Sequence, residues 1–115
     1  MPDIHKHQTP EMDQCIHACG ECHDIAIHAI HDCLKKGGKH ADAHHIGLLQ
    51  DCAQMCHTAE DFMLRHSHLH HATCGACAEV CEACAKSCEE LGDNDCAAAC
   101  RKCVETCRKC AASKG

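Results

Sequence analysis

The chain has 115 residues, a net charge of −6 with its histidines neutral, sixteen cysteines, one phenylalanine and no tyrosine or tryptophan. Leucine, isoleucine, valine and phenylalanine together number only fifteen, about 13% of the chain; this is below the roughly 20% under which chains read as disordered, so an ordinary apolar core is excluded unless the cysteines form it or something binds to them. The acidic balance argues against nucleic acid, which wants clustered Lys and Arg, and no apolar run approaches the roughly 20 residues that cross a bilayer.

Residues 1–8 read as a flexible tail, and the whole of 1–115 reads as one domain. Thr9, Pro10 and Glu11 supply an N-cap, a proline at the first helical position and an acid in the first turn, which together start a helix. That helix runs over 10–36, ending on the cations Lys35 and Lys36 and stopping at Gly37 and Gly38, where left-handed backbone costs little. A second helix is expected over about 40–66 and a third over 69–91, closed by Gly92. Asp93 then caps a fourth helix over 94–112. β-branched alternation is absent, so the fold class is all-α. Short connections make consecutive helices antiparallel neighbours, an up-down-up-down four-helix bundle.

The cysteines follow the helical seam. In helix three they are Cys74, Cys77, Cys81, Cys84 and Cys88; in helix four, Cys96, Cys100, Cys103, Cys107 and Cys110. Steps alternating between three and four define the stripe that faces a bundle axis, and here cysteine replaces the usual leucine throughout. Helix one keeps this register through Cys15, Cys19, Cys22, Ala26, Ala29 and Cys33; helix two keeps it through His45, Leu49, Cys52, Cys56, Ala59, Met63 and His66. Antiparallel order then predicts layers: Cys15, Met63, His66, Cys74 and Cys110 at one end, Cys22, Cys56, Cys81 and Cys103 in the middle, and Cys33, His45, Cys88 and Cys96 at the other end. The charges of helices three and four, such as Glu79, Lys86, Arg101 and Lys109, fall outside the seam and read as solvated faces.

A thiol-lined axis has several readings. Buried cysteine can serve as a small apolar residue, but leucine at the same positions would bury far more area at about 25 cal/mol per Å². Disulfides need Cβ atoms near 3.8 Å, whereas seam neighbours on one helix stand about 5–6 Å apart. The segment from Met1 to Met12 has no basic stretch followed by an apolar one, so no secretory signal is recognised and a reducing cytoplasm is expected. Metal remains, and thiolates favour Cu(I), Zn²⁺ or iron–sulfur clusters.

Charge separates these. A Zn²⁺ held by four thiolates leaves a net negative site, and no basic residue lies on the seam to offset it. One Cu(I) per cysteine leaves the filled core neutral, and two metal–sulfur bonds of roughly 2.2 Å, slightly shorter than Zn–S at about 2.3 Å, separate sulfurs by a little over 4 Å, within reach of seam neighbours. The bacterial ferredoxin run ends Cys-Pro, and here no proline follows any cysteine. The expectation is storage of Cu(I), on the order of one ion per cysteine, with zinc storage or, behind it, an iron–sulfur or redox protein as alternatives. No Ser/His/Asp grouping, phosphate loop or carboxylate dyad suggests an enzyme.

These repeated C-x₃-C-x₂-C and C-x₂-C-x₃-C patterns resemble those of the bacterial copper storage proteins, four-helix bundles whose cores hold many Cu(I) ions. The resemblance covers essentially the whole chain and is to the cytosolic branch of the family. It implies reversible storage without catalysis, a homo-oligomer that is commonly a tetramer, and exchange of copper with delivering or accepting proteins or small thiols. It also carries over as ligands Cys15, Cys19, Cys22, Cys33, Cys52, Cys56, Cys74, Cys77, Cys81, Cys84, Cys88, Cys96, Cys100, Cys103, Cys107 and Cys110. Helix two departs from the dense pattern, having only Cys52 and Cys56.

Of the fourteen histidines, His45 and His66 fall on the seam at opposite ends of helix two, and Met63 lies beside His66; an imidazole or thioether at a mouth can receive Cu(I) before thiolates take it inward. Met12 is expected to help close the same end as Met63. His17, His28 and His31 lie on the outer side of helix one and His5 and His7 in the tail, while His40, His44, His68, His70 and His71 cluster at the connections.

Overall fold

The computed structural model describes residues 9–112; the expected tail over 1–8, with His5 and His7, lies outside the described residues. Helix α1 spans Pro10–Lys36. It opens where the Thr9 hydroxyl accepts a hydrogen bond from the Met12 N–H at 3.2 Å, satisfying one of the donors that a helix start leaves unpaired. It closes at Gly37, whose N–H reaches the Cys33 carbonyl and whose φ of 73° suits a residue without Cβ.

The chain then makes a short 3-10 turn over Gly38–Ala41 before α2 begins, and α2 covers Ala43–Leu64. The second helix is therefore shorter at both ends than the expected 40–66. At its start, Asp42 is extended, so residues 38–41 form a separate turn. At its end, the Ser67 N–H bonds the Phe62 carbonyl and the His66 N–H bonds the Met63 carbonyl. This is the paired closure that terminates helices through a left-handed residue, here His66 at φ 59°. Histidine tolerates that region better than most residues bearing a Cβ. The Arg65 guanidinium stacks over the Phe62 ring, 4.7 Å from its centroid.

Helix α3 covers His70–Leu91 and α4 covers Asn94–Ala112. Between them Gly92 takes φ 76°, with its own N–H on the Glu89 carbonyl and the Asp93 N–H on the Cys88 carbonyl, so the reversal is as tight as a helical hairpin allows. Each helix packs on its two chain or cyclic neighbours, α1 against α2 and α4, and α3 against α2 and α4. That is a four-helix bundle, and no strand occurs among the described residues. No described helix is long and apolar enough to cross a membrane.

One stripe of every helix turns inward. The core consists of the sixteen cysteines with a few small or flexible partners such as Ala26, Ala59, Ala85, Leu49 and Met63. On the outside, the Arg101 guanidinium donates to both carboxylate oxygens of Glu89 at 2.9 and 3.0 Å, and the Arg108 guanidinium donates to Glu82 at 2.6 Å. These pairs tie α3 to α4 in solvent, where each contributes little to stability.

Candidate metal centre

All sixteen cysteines are buried free thiols. The a/d register places them on the axis because each seam residue of one antiparallel helix faces seam residues of its neighbours. At least thirteen of them enter groups whose sulfurs lie within 4.8 Å of one another, among them Cys15, Cys74 and Cys107; Cys19, Cys77, Cys103 and Cys107; Cys22, Cys56, Cys81 and Cys103; Cys22, Cys52 and Cys100; Cys84, Cys96 and Cys100. The third group is the layer that antiparallel order predicts for the middle of the bundle. Successive groups share Cys107, Cys103, Cys22 and Cys100, which makes the thiols of four of these groups one continuous path with the fifth joined through Cys100.

Sulfur separations along the path run from 3.5 Å, for Cys15 to Cys107 and Cys22 to Cys52, through 3.6 Å for Cys56 to Cys81, to 4.0 Å for Cys15 to Cys19. The closest pairs are cross-helix ones, whereas pairs within one helix stand 3.8–4.0 Å apart, a point that seam spacing alone does not reveal. Two metal–sulfur bonds of about 2.2–2.3 Å span roughly 3.8–4.4 Å between sulfurs, depending on coordination angle, so small side-chain rotations bring these thiols into bridging positions. Helix α2 contributes only Cys52 and Cys56, but both sit at the centre of the path: Cys52 lies 3.5–3.8 Å from thiols of all three other helices and Cys56 3.6–3.8 Å from thiols of α3 and α4.

The thiols also shape one another's ionisation. Hydrogen bonds from Cys107, Cys19, Cys22 and Cys56 hold the Cys103 thiol well below the usual thiol range, while Cys56 and Cys81, bonded to that sulfur, are pushed above it, first by Cys103. Shared S–H···S hydrogen bonds, which favour the charged form of the accepting sulfur and the neutral form of its donors, are the physical origin of both shifts. Among the described residues, the only buried polar or charged side chains are His45, His70 and Thr106; no ammonium or guanidinium reaches the axis to balance accumulated thiolate charge.

The two ends differ. At one, the Cys33 sulfur lies 3.5 Å from His45 Nε2, and His45 Nδ1 lies 2.7 Å from the Ser87 hydroxyl. Burial, followed by the Asp93 charge, raises the Cys33 thiol, and burial lowers the His45 imidazole, so both groups are neutral near pH 7. Cys88, close to Cys84 and Cys96 in the electrostatics of the axis, is buried here too.

At the opposite end, the Cys74 thiol donates to the Met63 sulfur at 3.8 Å, the Cys110 thiol donates to the Glu11 carbonyl at 3.4 Å, and Met12 is buried. His66, expected on the seam beside Met63, does not join the buried side chains of this end. Its left-handed backbone follows the end of α2 and leaves it exposed, off the seam on which the sequence pattern puts it. The buried imidazole here is His70, one turn before Cys74 on α3. Its Nδ1 lies 2.9 Å from the Ser67 carbonyl, which makes Nδ1 the protonated nitrogen, and its buried Nε2 has no hydrogen-bond partner. A buried imidazole nitrogen without a hydrogen-bond partner, one turn along α3 from Cys74, is a candidate soft-metal ligand. In sequence, the four-residue step from His70 to Cys74 is the available signal for it, masked by the neighbouring His68 and His71. His17, His28, His31, His44, His68 and His71 are exposed.

Comparison with known proteins agrees with this arrangement. The crystal structure of the Nmul_A1745 protein from Nitrosospira multiformis is 45% identical over 89% of this chain and 95% of its own, with a TM-score of 0.87. The structure of the Cu(I)-bound copper storage protein BsCsp3 is 33% identical over 89% of this chain and 99% of its own, with a TM-score of 0.82. No curated protein sequence matches the chain. The family model described as "Copper storage protein" matches residues 8–112, nearly the whole bundle with every cysteine in it, and the chain belongs to the copper storage protein family.

Proposed function

We propose that this protein is a cytosolic store for Cu(I), holding on the order of one ion per cysteine, hence about sixteen per chain, on the thiolates of its axis, and that it turns over no substrate. The single observation that carries this reading is the run of buried free thiols along the axis, 3.5–4.0 Å apart through its middle and within 4.8 Å at Cys84, Cys96 and Cys100, with no cation beside them. A monovalent ion for each thiolate neutralises such an axis; a divalent ion on four thiolates does not. The Cu(I) bound by BsCsp3, a relative of 33% identity, supports the same cargo here.

The end bearing Met12, Met63 and His70 is the proposed point of entry, with His70 Nε2, buried without a hydrogen-bond partner, and the Met63 thioether as its soft ligands. His45 is proposed to terminate the chain of ligands at the far end. Homotetrameric assembly and copper exchange with protein or small-thiol partners remain part of this proposal, resting on the family. Anaerobic titration of the reduced protein with Cu(I) tests it: saturation near sixteen equivalents, with all thiols then protected from a thiol reagent, is the expected result, and saturation at a few equivalents overturns it. Zinc storage is the rival that two of the four-thiol groups would suit geometrically; those groups share Cys103, and Zn²⁺ is expected to be displaced quantitatively by Cu(I) in competition.

A further inference from the structure

Outside the tube, the α1–α2 face carries a group of side chains that storage of Cu(I) does not use. His23 of α1 and His57 of α2 approach each other with ring centroids 5.5 Å apart and planes tilted by 40°. His57 Nε2 stands 3.5 Å from the Asp61 carboxylate one turn further along α2. His23 Nδ1 is bonded to the Asp24 carboxylate at 2.9 Å. From these we infer a second metal site, for a divalent first-row cation, built from His23 and His57 with Asp61, and separate from the thiols.

The distances suit one ion. With metal–nitrogen and metal–oxygen bonds of about 2.0–2.2 Å, two imidazoles on a tetrahedral centre have centroids roughly 5–6 Å apart, and an imidazole nitrogen and a carboxylate oxygen lie roughly 3.3–3.6 Å apart. Both observed separations fall in these ranges. Asp24 supplies the outer partner that metal-bound histidines ordinarily have: a carboxylate holding the proton on Nδ1 leaves Nε2 as the lone-pair donor and fixes the ring.

The surroundings favour a cation. Neither α1 before Lys35 nor any residue of α2 is lysine or arginine, while Glu60 lies close to Gly20, its carboxylate 3.0 Å from where a β-carbon at Gly20 would stand. The two histidines open onto a surface groove lined also by Gln50, Asp51 and Gln54, where water can complete the coordination. The side chains of His57, Asp61 and His23 are 60%, 45% and 33% exposed, so the ion needs no route through the bundle. Imidazole with carboxylate selects Zn²⁺, Ni²⁺ or Cu²⁺ over the soft monovalent ion that thiolates prefer; inside and outside thus differ in the charge and softness of the metal they hold. His28 and Asp32 form a looser pair at 3.8 Å on α1 alone and serve as the comparison.

Co²⁺ is the probe, added anaerobically to protein whose thiols have first been filled with Cu(I). The expected result is one Co²⁺ per chain with visible ligand-field bands and no added sulfur-to-cobalt charge transfer. His23→Ala and His57→Ala are each expected to weaken binding by more than about tenfold and Asp24→Asn by about tenfold, while His28→Ala leaves it unchanged and all four variants keep their Cu(I) capacity. Binding that survives His57→Ala, or that arrives only with sulfur charge transfer, overturns the site. Should Cu(I) not fill the axis, the titration on reduced protein still decides, because sulfur-bound and imidazole-bound cobalt differ in spectrum and only the imidazole component responds to His57→Ala.

Discussion

The hydroxyl of Ser87 on α3 lies 2.7 Å from Nδ1 of His45 on α2, so the imidazole at the Cys33 end of the axis is held from a neighbouring helix. The hydrogen bond fixes the ring with Nε2 toward the Cys33 sulfur. Ser87→Ala is expected to leave copper capacity unchanged but weaken the ion held at this end by about tenfold, the usual effect of removing an outer partner. His45→Ala should remove that ion from the tightly held population altogether. Competition with a chromogenic Cu(I) chelator, read as the fraction of copper lost first, checks both.

Leu49 is one of the two largest fully buried side chains, with Met63, in a core built mainly of cysteine and alanine. Removing it leaves a cavity that small neighbours cannot fill, and Leu49→Ala should cost the metal-free protein about 2–5 kcal/mol, lowering its Tm by about 10 °C or more. Because bound metal adds its own stabilisation by mass action, the same variant loaded with Cu(I) is expected to unfold far above its metal-free form. Thermal melts by circular dichroism with and without copper test this; equal melting temperatures in the two states would mean that the ions do not bridge the helices.

Most of the bundle could be read from residue order because its signals were local: Thr9 before Pro10, the glycines after Lys36, Gly92 after Leu91, and a seam that repeats cysteine where leucine is ordinary. The layer of Cys22, Cys56, Cys81 and Cys103 followed from counting along antiparallel seams. What escaped depended on backbone closure without a glycine. His66 carries the left-handed turn that ends α2, a conformation for which its sequence neighbourhood gives no cue, and its departure from the seam leaves His70 as the buried imidazole at that end. The pairing of His23 with His57 was equally illegible, since it depends on how two outer faces meet and the seam register constrains only the inner ones.

Filling the axis must release protons. The Cys33 thiol is raised above the ordinary value of 9.0, chiefly by burial, so it is protonated at neutral pH and a metal must displace that proton. Affinity at the Cys33 end should therefore fall as pH falls, throughout the range below the raised pKa, by about tenfold per pH unit for each thiol proton displaced. Loading in weak buffer, followed by a pH indicator, should register this release. Loading without acidification would show that the axis thiols were already ionised.

Gly92 turns the chain from α3 into α4 at φ 76°. Nothing lies within 4 Å of a β-carbon placed there, so Gly92→Ala meets no clash and suffers only the cost of left-handed backbone, about 1 kcal/mol. Urea unfolding should show that loss, and Cu(I) titration should show an unchanged endpoint, since every thiol remains in place.

The sulfur spacings have a last consequence, for how a full store differs from an empty one. Because thiols at 3.5–4.0 Å already stand nearly as far apart as a bridging metal would set them, exchanging hydrogens for copper is expected to leave the helices where they are and the outer contour unchanged. A partner touching the surface would then find no outline by which to gauge the contents. Withdrawal must be governed by the pull of a competing ligand at the mouth, and the store's inventory is legible only to chemistry that reaches inside.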